Sequence, residues 1–179
     1  MNFTIRHAKS CDCEHIMRLI MELAVYENMS EQVKITSKEL ERDGFSNHSF
    51  FKCLVAEVPE EHQTKEGHTI VGYCLYFYTY STWEGRVIYM EDLYVMPKFR
   101  GNGIGKAMMC RIAQIGRQSE CARLQFNVLN WNKPSIEFYK SHGALDLTEK
   151  EGWHAMRFEV AAMEKLAQMT VATCATTTT

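Results

Sequence analysis

Apolar positions recur along the chain with two different periods. Ile16, Leu19, Ile20, Leu23 and Ala24 follow the i, i+3, i+4, i+7, i+8 spacing, which predicts an amphipathic helix over 12–26. Ile104, Met108, Ile112 and Ile115 keep that spacing and predict a helix over 104–117. Alternation, or enrichment in β-branched and aromatic residues, predicts strands at 3–7, 50–58, 69–80, 85–96, 122–129 and 153–160. Thr36 and Glu39 form a T-x-x-E capping box ahead of a short helix. Asn132 and Gly143 punctuate the two ends of a helix over 132–143. A short helical stretch follows residue 160. The charged run 59–68 joins its flanking strands as an antiparallel hairpin, and Pro97 ends the strand before it.

The element order is then βααβββαβαβ. Strand 85–96, helix 104–117 and strand 122–129 make a βαβ crossover, so those two strands are expected to be parallel. The fold class is α/β: a mixed, mostly antiparallel sheet with helices on both faces and one central βαβ unit. No repeat or linker divides residues 1–168, which are expected to form one domain, while the Thr-rich tail 169–179 is expected to be disordered.

Composition narrows the function. A chain of 179 residues, 46% apolar, can bury a core. Its net charge of −2 leaves no basic surplus for a nucleic acid backbone, so no nucleic acid partner is expected. The N-terminus "MNFTIRHAKS" lacks a signal core, and no run approaches the ~18 apolar residues of a membrane helix. Seven cysteines without a CxxC suggest reduced thiols, no metal site and a cytoplasmic location.

The stretch "FRGNGIGKAMM" places Gly101, Gly103 and Gly105 directly before a helix. Glycine is costly to order, so such a cluster points to unusual φ or close approach of the backbone to something. A Gly-rich turn entering a helix can fold its N–H groups around phosphate oxygens, and Arg100 and Lys106 add charge. The spacing fits neither G-x-x-x-x-G-K-[ST] nor G-x-G-x-x-G. The competing reading is a plain Gly-rich turn.

Arg100-Gly101-Asn102-Gly103-Ile104-Gly105 resembles the R/Q-x-x-G-x-G/A signature of the GNAT N-acetyltransferases. The stretches "HSFFKCLVAEVP", "YMEDLYVMPKFRGNGIG", "WNKPSIEFYKSHGALDL" and "EKEGW" are together similar to the diamine acetyltransferase branch of that family, over residues 3–168. The resemblance implies acetyl-coenzyme A as cosubstrate and a homodimer with the segment after Gly143 at its interface. The loop from Arg100 to Lys106 would hold the pyrophosphate. The backbone of Leu93, Tyr94 and Val95 would pair with the pantetheine arm where the parallel strands splay. Asn132, Lys133, Pro134 and Ser135 would also contact the cofactor. Tyr26, Glu27, Ser81, Trp83, Glu91, Asp92, Gln125, Phe126, Asn127 and Glu151 would line the acceptor groove.

Amine acetylation sets two proton problems. An alkyl ammonium has pKa about 10, so roughly one molecule in a thousand is neutral near pH 7. The departing thiolate must in turn be protonated. Glu91 and Asp92 interrupt an otherwise apolar strand; a regular strand would point them to opposite faces, unless a bulge intervenes. The resemblance implies Glu91 as proton acceptor, through water, and Asp92 as a second charge near the amine. A protonated phenol can donate to sulfur, and the family's proton-donating tyrosine matches Tyr139. "YSTWEG" carries Ser81-Thr82 where polyamine-preferring members have Asp-Pro, which is closer to members that acetylate thialysine. The expected activity is acetyl transfer to a small aminoethyl amine such as thialysine, and more weakly to polyamines. A true spermidine/spermine acetyltransferase and a non-catalytic acyl-CoA-binding module are the alternatives.

Overall fold

A computed structural model describes residues 1–169, so the Thr-rich tail beyond them, with the disorder expected for it, lies outside the described residues. The contacts separate two compact units, one ending at Asn127 and one starting at Val128.

The first unit holds strand β1 (Thr4–His7), helix α1 (Cys13–Tyr26), helix α2 (Ser37–Phe45), strands β2 (Lys52–Glu57), β3 (Ile70–Ser81) and β4 (Gly85–Val95), helix α3 (Ile104–Gln118) and strand β5 (Arg123–Gln125). The sheet order follows the chain, β1-β2-β3-β4-β5. The first three pairings are antiparallel and β4–β5 is parallel, as the crossover requires. The predicted capping box forms: Thr36 Oγ1 accepts from the Glu39 N–H, and Glu39 accepts from the Thr36 N–H.

Alternation along β3 divides the core between two faces. Tyr73 and Leu75 join Ile16 and Leu19 of α1, Leu40 of α2 and Val55 of β2 in one apolar layer. Gly72 points the other way, toward α3, where an added Cβ would lie 3.2 Å from Met108 Cε. Ile104, Met108, Ile112 and Ile115, the four positions predicted to face inward, are all buried. Gly116 lets α3 lie close on the sheet, since a Cβ there would stand 2.9 Å from Ile88 Cγ2. Burying these side chains contributes about 1.5–3 kcal/mol each.

Two expected strands differ. The strand predicted at 122–129 shortens to Arg123–Gln125, because its ladder with β4 runs only from Val87↔Arg123 to Tyr89↔Gln125. The strand predicted at 153–160 is absent: residues 152–159 are irregular and lead into helix α6 (Val160–Gln168). The aromatic and β-branched residues there suit a pleated surface, but a strand also needs a hydrogen-bonding neighbour, and no ladder reaches this segment among the described residues.

The second unit contains α4 (Lys133–Ser141), α5 (Leu147–Glu151) and α6. Asn132 caps α4 as predicted, and Gly143, at φ +92°, follows the last turn. Helix α5 escaped the sequence reading, although Asp146 and Glu149 carry its N-terminal signal. The Asp146 carboxylate accepts from the N–H groups of Thr148 and Glu149.

Candidate active site

The phosphate-loop geometry starts at the end of β4. Met96–Arg100 form a tight turn, in which the Arg100 N–H donates to Pro97 O at 3.2 Å. Asn102 Nδ2 fastens it by donating to the carbonyls of Phe99 and Arg100 at 3.1 and 3.2 Å. Gly101 and Gly103 have φ of +77° and +84°, the left-handed region that glycine enters without a Cβ penalty. Gly105 is different: its φ is ordinary, and a Cβ there would meet only Val95 Cγ2, at 3.9 Å. The first bond of α3 runs from the Ala107 N–H to Gly103 O at 2.9 Å. The N–H groups of Ile104, Gly105 and Lys106 therefore precede the helical ladder, at its positive end. Among the described residues no atom lies within 4 Å of a Cβ built on Gly101 or Gly103, so these N–H groups, with Arg100 and Lys106 beside them, would be able to hold a diphosphate such as that of coenzyme A.

The two parallel strands part where a cofactor arm would need room. Leu93, Tyr94 and Val95 pair with Cys74, Tyr73 and Gly72 of β3 on one edge. On the other edge the β5 ladder has already ended at Tyr89. The β4 backbone beyond it presents an open edge, able to receive an extended amide chain as an added strand. Gln125 closes β5, and Phe126 and Asn127 follow it past the ladder.

The acids meet at a β-bulge. Tyr76 pairs with Met90 and Leu75 with Asp92, so Glu91 is an extra residue in β4. Asp92 then shares the α1 side of the sheet with Tyr73 and Tyr94. The Tyr73 hydroxyl donates to Asp92 Oδ2 at 2.7 Å. Glu27, the C-cap of α1, lies close enough to feel the Asp92 charge. Burial, opposed by the Tyr73 hydrogen bond, raises the Asp92 carboxyl above its ordinary range. Burial first, then the Asp92 charge, raises both Glu91 and Glu27. Glu27 and Glu91 each feel the Asp92 charge, and such repulsion in a partly buried setting favours the arrival of a cation.

Ser81 and Trp83 lie elsewhere on the first unit. Ser81 Oγ accepts from the N–H groups of Trp83 and Glu84, both at 3.3 Å, and so caps the β3–β4 turn. Trp83 is 81% exposed. Ser81 lies six positions along β3 from Leu75, the partner of Asp92, or about 20 Å of strand. Tyr26 sets its ring against the Arg100 guanidinium, 5.4 Å from centroid to carbon.

In the second unit, Asn132 Oδ1 accepts the Ser135 N–H at 3.4 Å, and Pro134 occupies the first turn of α4. Lys133 opens the helix. Tyr139 lies one turn further on, its ring edge-on to Phe138 with centroids 5.4 Å apart. Glu151 ends α5 and accepts from Trp153 Nε1 at 2.7 Å. The residue the sequence reading missed is Tyr73. Its contact with Asp92 crosses the β3–β4 hairpin, and no local pattern announces it.

Residues 16–144 match the Acetyltransferase (GNAT) family. The chain is 50% identical over 163 residues to the thialysine N-epsilon-acetyltransferase of Bos taurus, an alignment covering 91% of this chain and 96% of that one. It is 46% identical over 156 residues to the spermidine/spermine N(1)-acetyltransferase-like protein 1 of Homo sapiens, covering 87% of this chain and 22% of that longer one. Among solved structures, an integron cassette protein from the mobile metagenome of V. cholerae superposes with a TM-score of 0.74 at 26% identity, covering 94% of this chain and 99% of that one.

Proposed function

Because the chain belongs to the acetyltransferase (GNAT) family and is an acyl-coenzyme A-dependent amine N-acetyltransferase, we propose that its acceptor is a small aminoethyl amine such as thialysine, with polyamines reacting more slowly. The observation that carries this reading is Asp92 on β4, next to the bulged Glu91, whose charge acts on both Glu91 and Glu27. One ammonium can be drawn to this site. At the distant β3–β4 turn stands neutral Ser81, where a carboxylate would attract a second ammonium of a longer polycation.

Acetyl-coenzyme A supplies the activated acetyl group as a thioester. Glu91 takes the ammonium proton, directly or through a water, and the free amine attacks the carbonyl carbon. The Tyr139 hydroxyl gives its proton to the departing sulfur. Asp92, held by Tyr73, and Glu27 orient the cation. Leu93–Val95 align the pantetheine amides, the loop 100–106 holds the diphosphate, and Asn132–Ser135 contact the cofactor at the start of α4.

We also read the protein as a cytoplasmic homodimer. The thiols among the described residues are free, and no described helix is long and apolar enough to cross a membrane. Trp153, Met156, Phe158 and Val160 are exposed, an apolar run that a second copy could cover. Sedimentation as a monomer at micromolar concentration would remove the dimer.

The acceptor is tested by kcat/KM with thialysine, putrescine, spermidine and spermine. Thialysine is expected to lead, and Ser81→Asp to raise the polyamine values several-fold, the scale of one partly exposed ion pair of ~1 kcal/mol. Equal kcat/KM for spermine and thialysine in the wild type would reject this acceptor.

A further inference from the structure

Helix α1 carries a polar row on one face that the acetyl-transfer chemistry does not use. Arg18, Glu22 and Tyr26 are spaced i, i+4, i+8, so they line up along the helix. Arg18 Nη1 donates to Glu22 Oε1 at 2.6 Å, and Arg18 Nη2 to Ile70 O at 2.7 Å, which ties the row to the start of β3. Glu22 Oε2 accepts from the Tyr94 hydroxyl at 3.1 Å. The row ends at the phosphate loop. The Arg100 guanidinium carbon lies 5.4 Å from the Tyr26 ring centroid and 5.5 Å from that of Tyr94, and Arg100 Nε donates to Val95 O at 2.8 Å. These groups border an open cleft of about 550 Å³ whose other walls include Met21, Val25 and Pro97.

An arginine on a surface turn ordinarily samples many rotamers, and fixing it costs up to ~2 kcal/mol of side-chain entropy. Here Nε is committed to a carbonyl and two aromatic rings bracket the guanidinium, while no acid among the described residues forms an ion pair with it. The Tyr94 hydroxyl takes a share of its hydrogen bonding, and its charge is left for an external anion. We propose that Tyr26 and Tyr94, braced through Glu22 and Arg18, are positioning residues that hold Arg100 ready for the diphosphate of the acyl donor. The proposal rests on the diphosphate reading of the glycine loop.

The test is calorimetric binding of acetyl-coenzyme A and of S-acetylpantetheine, which lacks the diphosphate, to the full chain. Tyr26→Leu is expected to weaken acetyl-coenzyme A about fivefold, the scale of a cation–π contact, and to leave S-acetylpantetheine unchanged. Tyr26→Phe keeps the ring and is expected to bind like wild type. In an Arg100→Ala background, Tyr26→Leu is expected to add nothing. Equal weakening of both donors by Tyr26→Leu, or full additivity with Arg100→Ala, would overturn the positioning role. If Arg100→Ala itself leaves acetyl-coenzyme A binding intact, the diphosphate reading of the loop fails and the inference falls with it. If Arg100→Ala weakens binding and Tyr26→Leu does not, only the inference fails.

Discussion

The Tyr73 hydroxyl donates a 2.7 Å hydrogen bond to Asp92 Oδ2 across the β3–β4 ladder, from a side chain with no exposed surface. The bond opposes the burial that raises the Asp92 carboxyl, and so keeps more of it ionised at neutral pH. Tyr73→Phe removes the donor and leaves the ring. The KM for the amine is expected to rise about tenfold, as for a lost hydrogen bond to a charged group, and more steeply at low pH. Steady-state kinetics from pH 6 to 9 checks this; an amine KM equal to wild type throughout would separate Tyr73 from the site.

Asp92→Asn should trade activity for stability. A carboxyl whose folded pKa is raised binds more protons in the folded than in the unfolded state, so its contribution to stability declines as pH rises through that window. The amide carries no charge to bury and can still accept from Tyr73. Thermal melts at pH 7 are expected to show Tm about 2–4 °C above wild type, the shift given by ~1 kcal/mol in a chain of this size. The difference should vanish below the ordinary aspartate pKa of about 3.9. A lower Tm at pH 7 would contradict the sign.

Gly103 and Gly105 should respond differently to alanine. Gly103 sits at φ +84°, where a Cβ costs about 1–2 kcal/mol. Gly103→Ala is therefore expected to lower Tm by several degrees. Gly105 has helical φ and room for a Cβ, so Gly105→Ala is expected to hold or raise Tm. It should also leave acetyl-coenzyme A binding near wild type, because the methyl group meets only Val95 Cγ2 and the family signature admits alanine at this place. A loss of about tenfold in acetyl-coenzyme A binding by Gly105→Ala would show that the ligand fills the space beside Val95 as well.

The two proton-transfer roles should separate by pH. The Glu91 carboxyl is raised by burial and by Asp92, so its base form is lost as pH falls through that raised value. Glu91→Gln is expected to erase this acid limb of the kcat/KM profile. Tyr139→Phe is expected to lower kcat about 100-fold while the acid limb stays. Near-wild-type kcat for Tyr139→Phe at every pH would assign sulfur protonation to another group.

The sequence was most legible where a local rule decides the structure. Periodic Ile104, Met108, Ile112 and Ile115 mark the buried face of α3, the Thr36–Glu39 box opens α2, and the glycine loop follows a strand, as a phosphate site requires. It was least legible where a partner decides. The aromatic pattern at 153–160 states a preference for pleated surface, but which backbone would pair with it is not written locally. The Tyr73–Asp92 bond and the Tyr26–Arg100 contact join residues 19 and 74 positions apart, through folding of the whole first unit. The bulge at Glu91 is intermediate: two adjacent acids in an apolar strand raise the question that the register then answers.

That bulge amounts to a change of phase in the strand. Met90 pairs with Tyr76 and Asp92 with Leu75, so positions two apart, which a regular strand would send to one face, part to opposite sides. Were Glu91 paired in its turn instead of bulged, a carboxylate at the place of Asp92 would enter the apolar layer under Met108 and Ile112, where no Tyr73 hydroxyl waits. The address of the acid is therefore set by whether the residue before it is paired, as much as by its being acidic. A deletion at 91 would lose the proposed base yet keep the frame: Met90 and Asp92 would become neighbours opposite Tyr76 and Leu75, and every later side chain up to the glycine loop would keep its face.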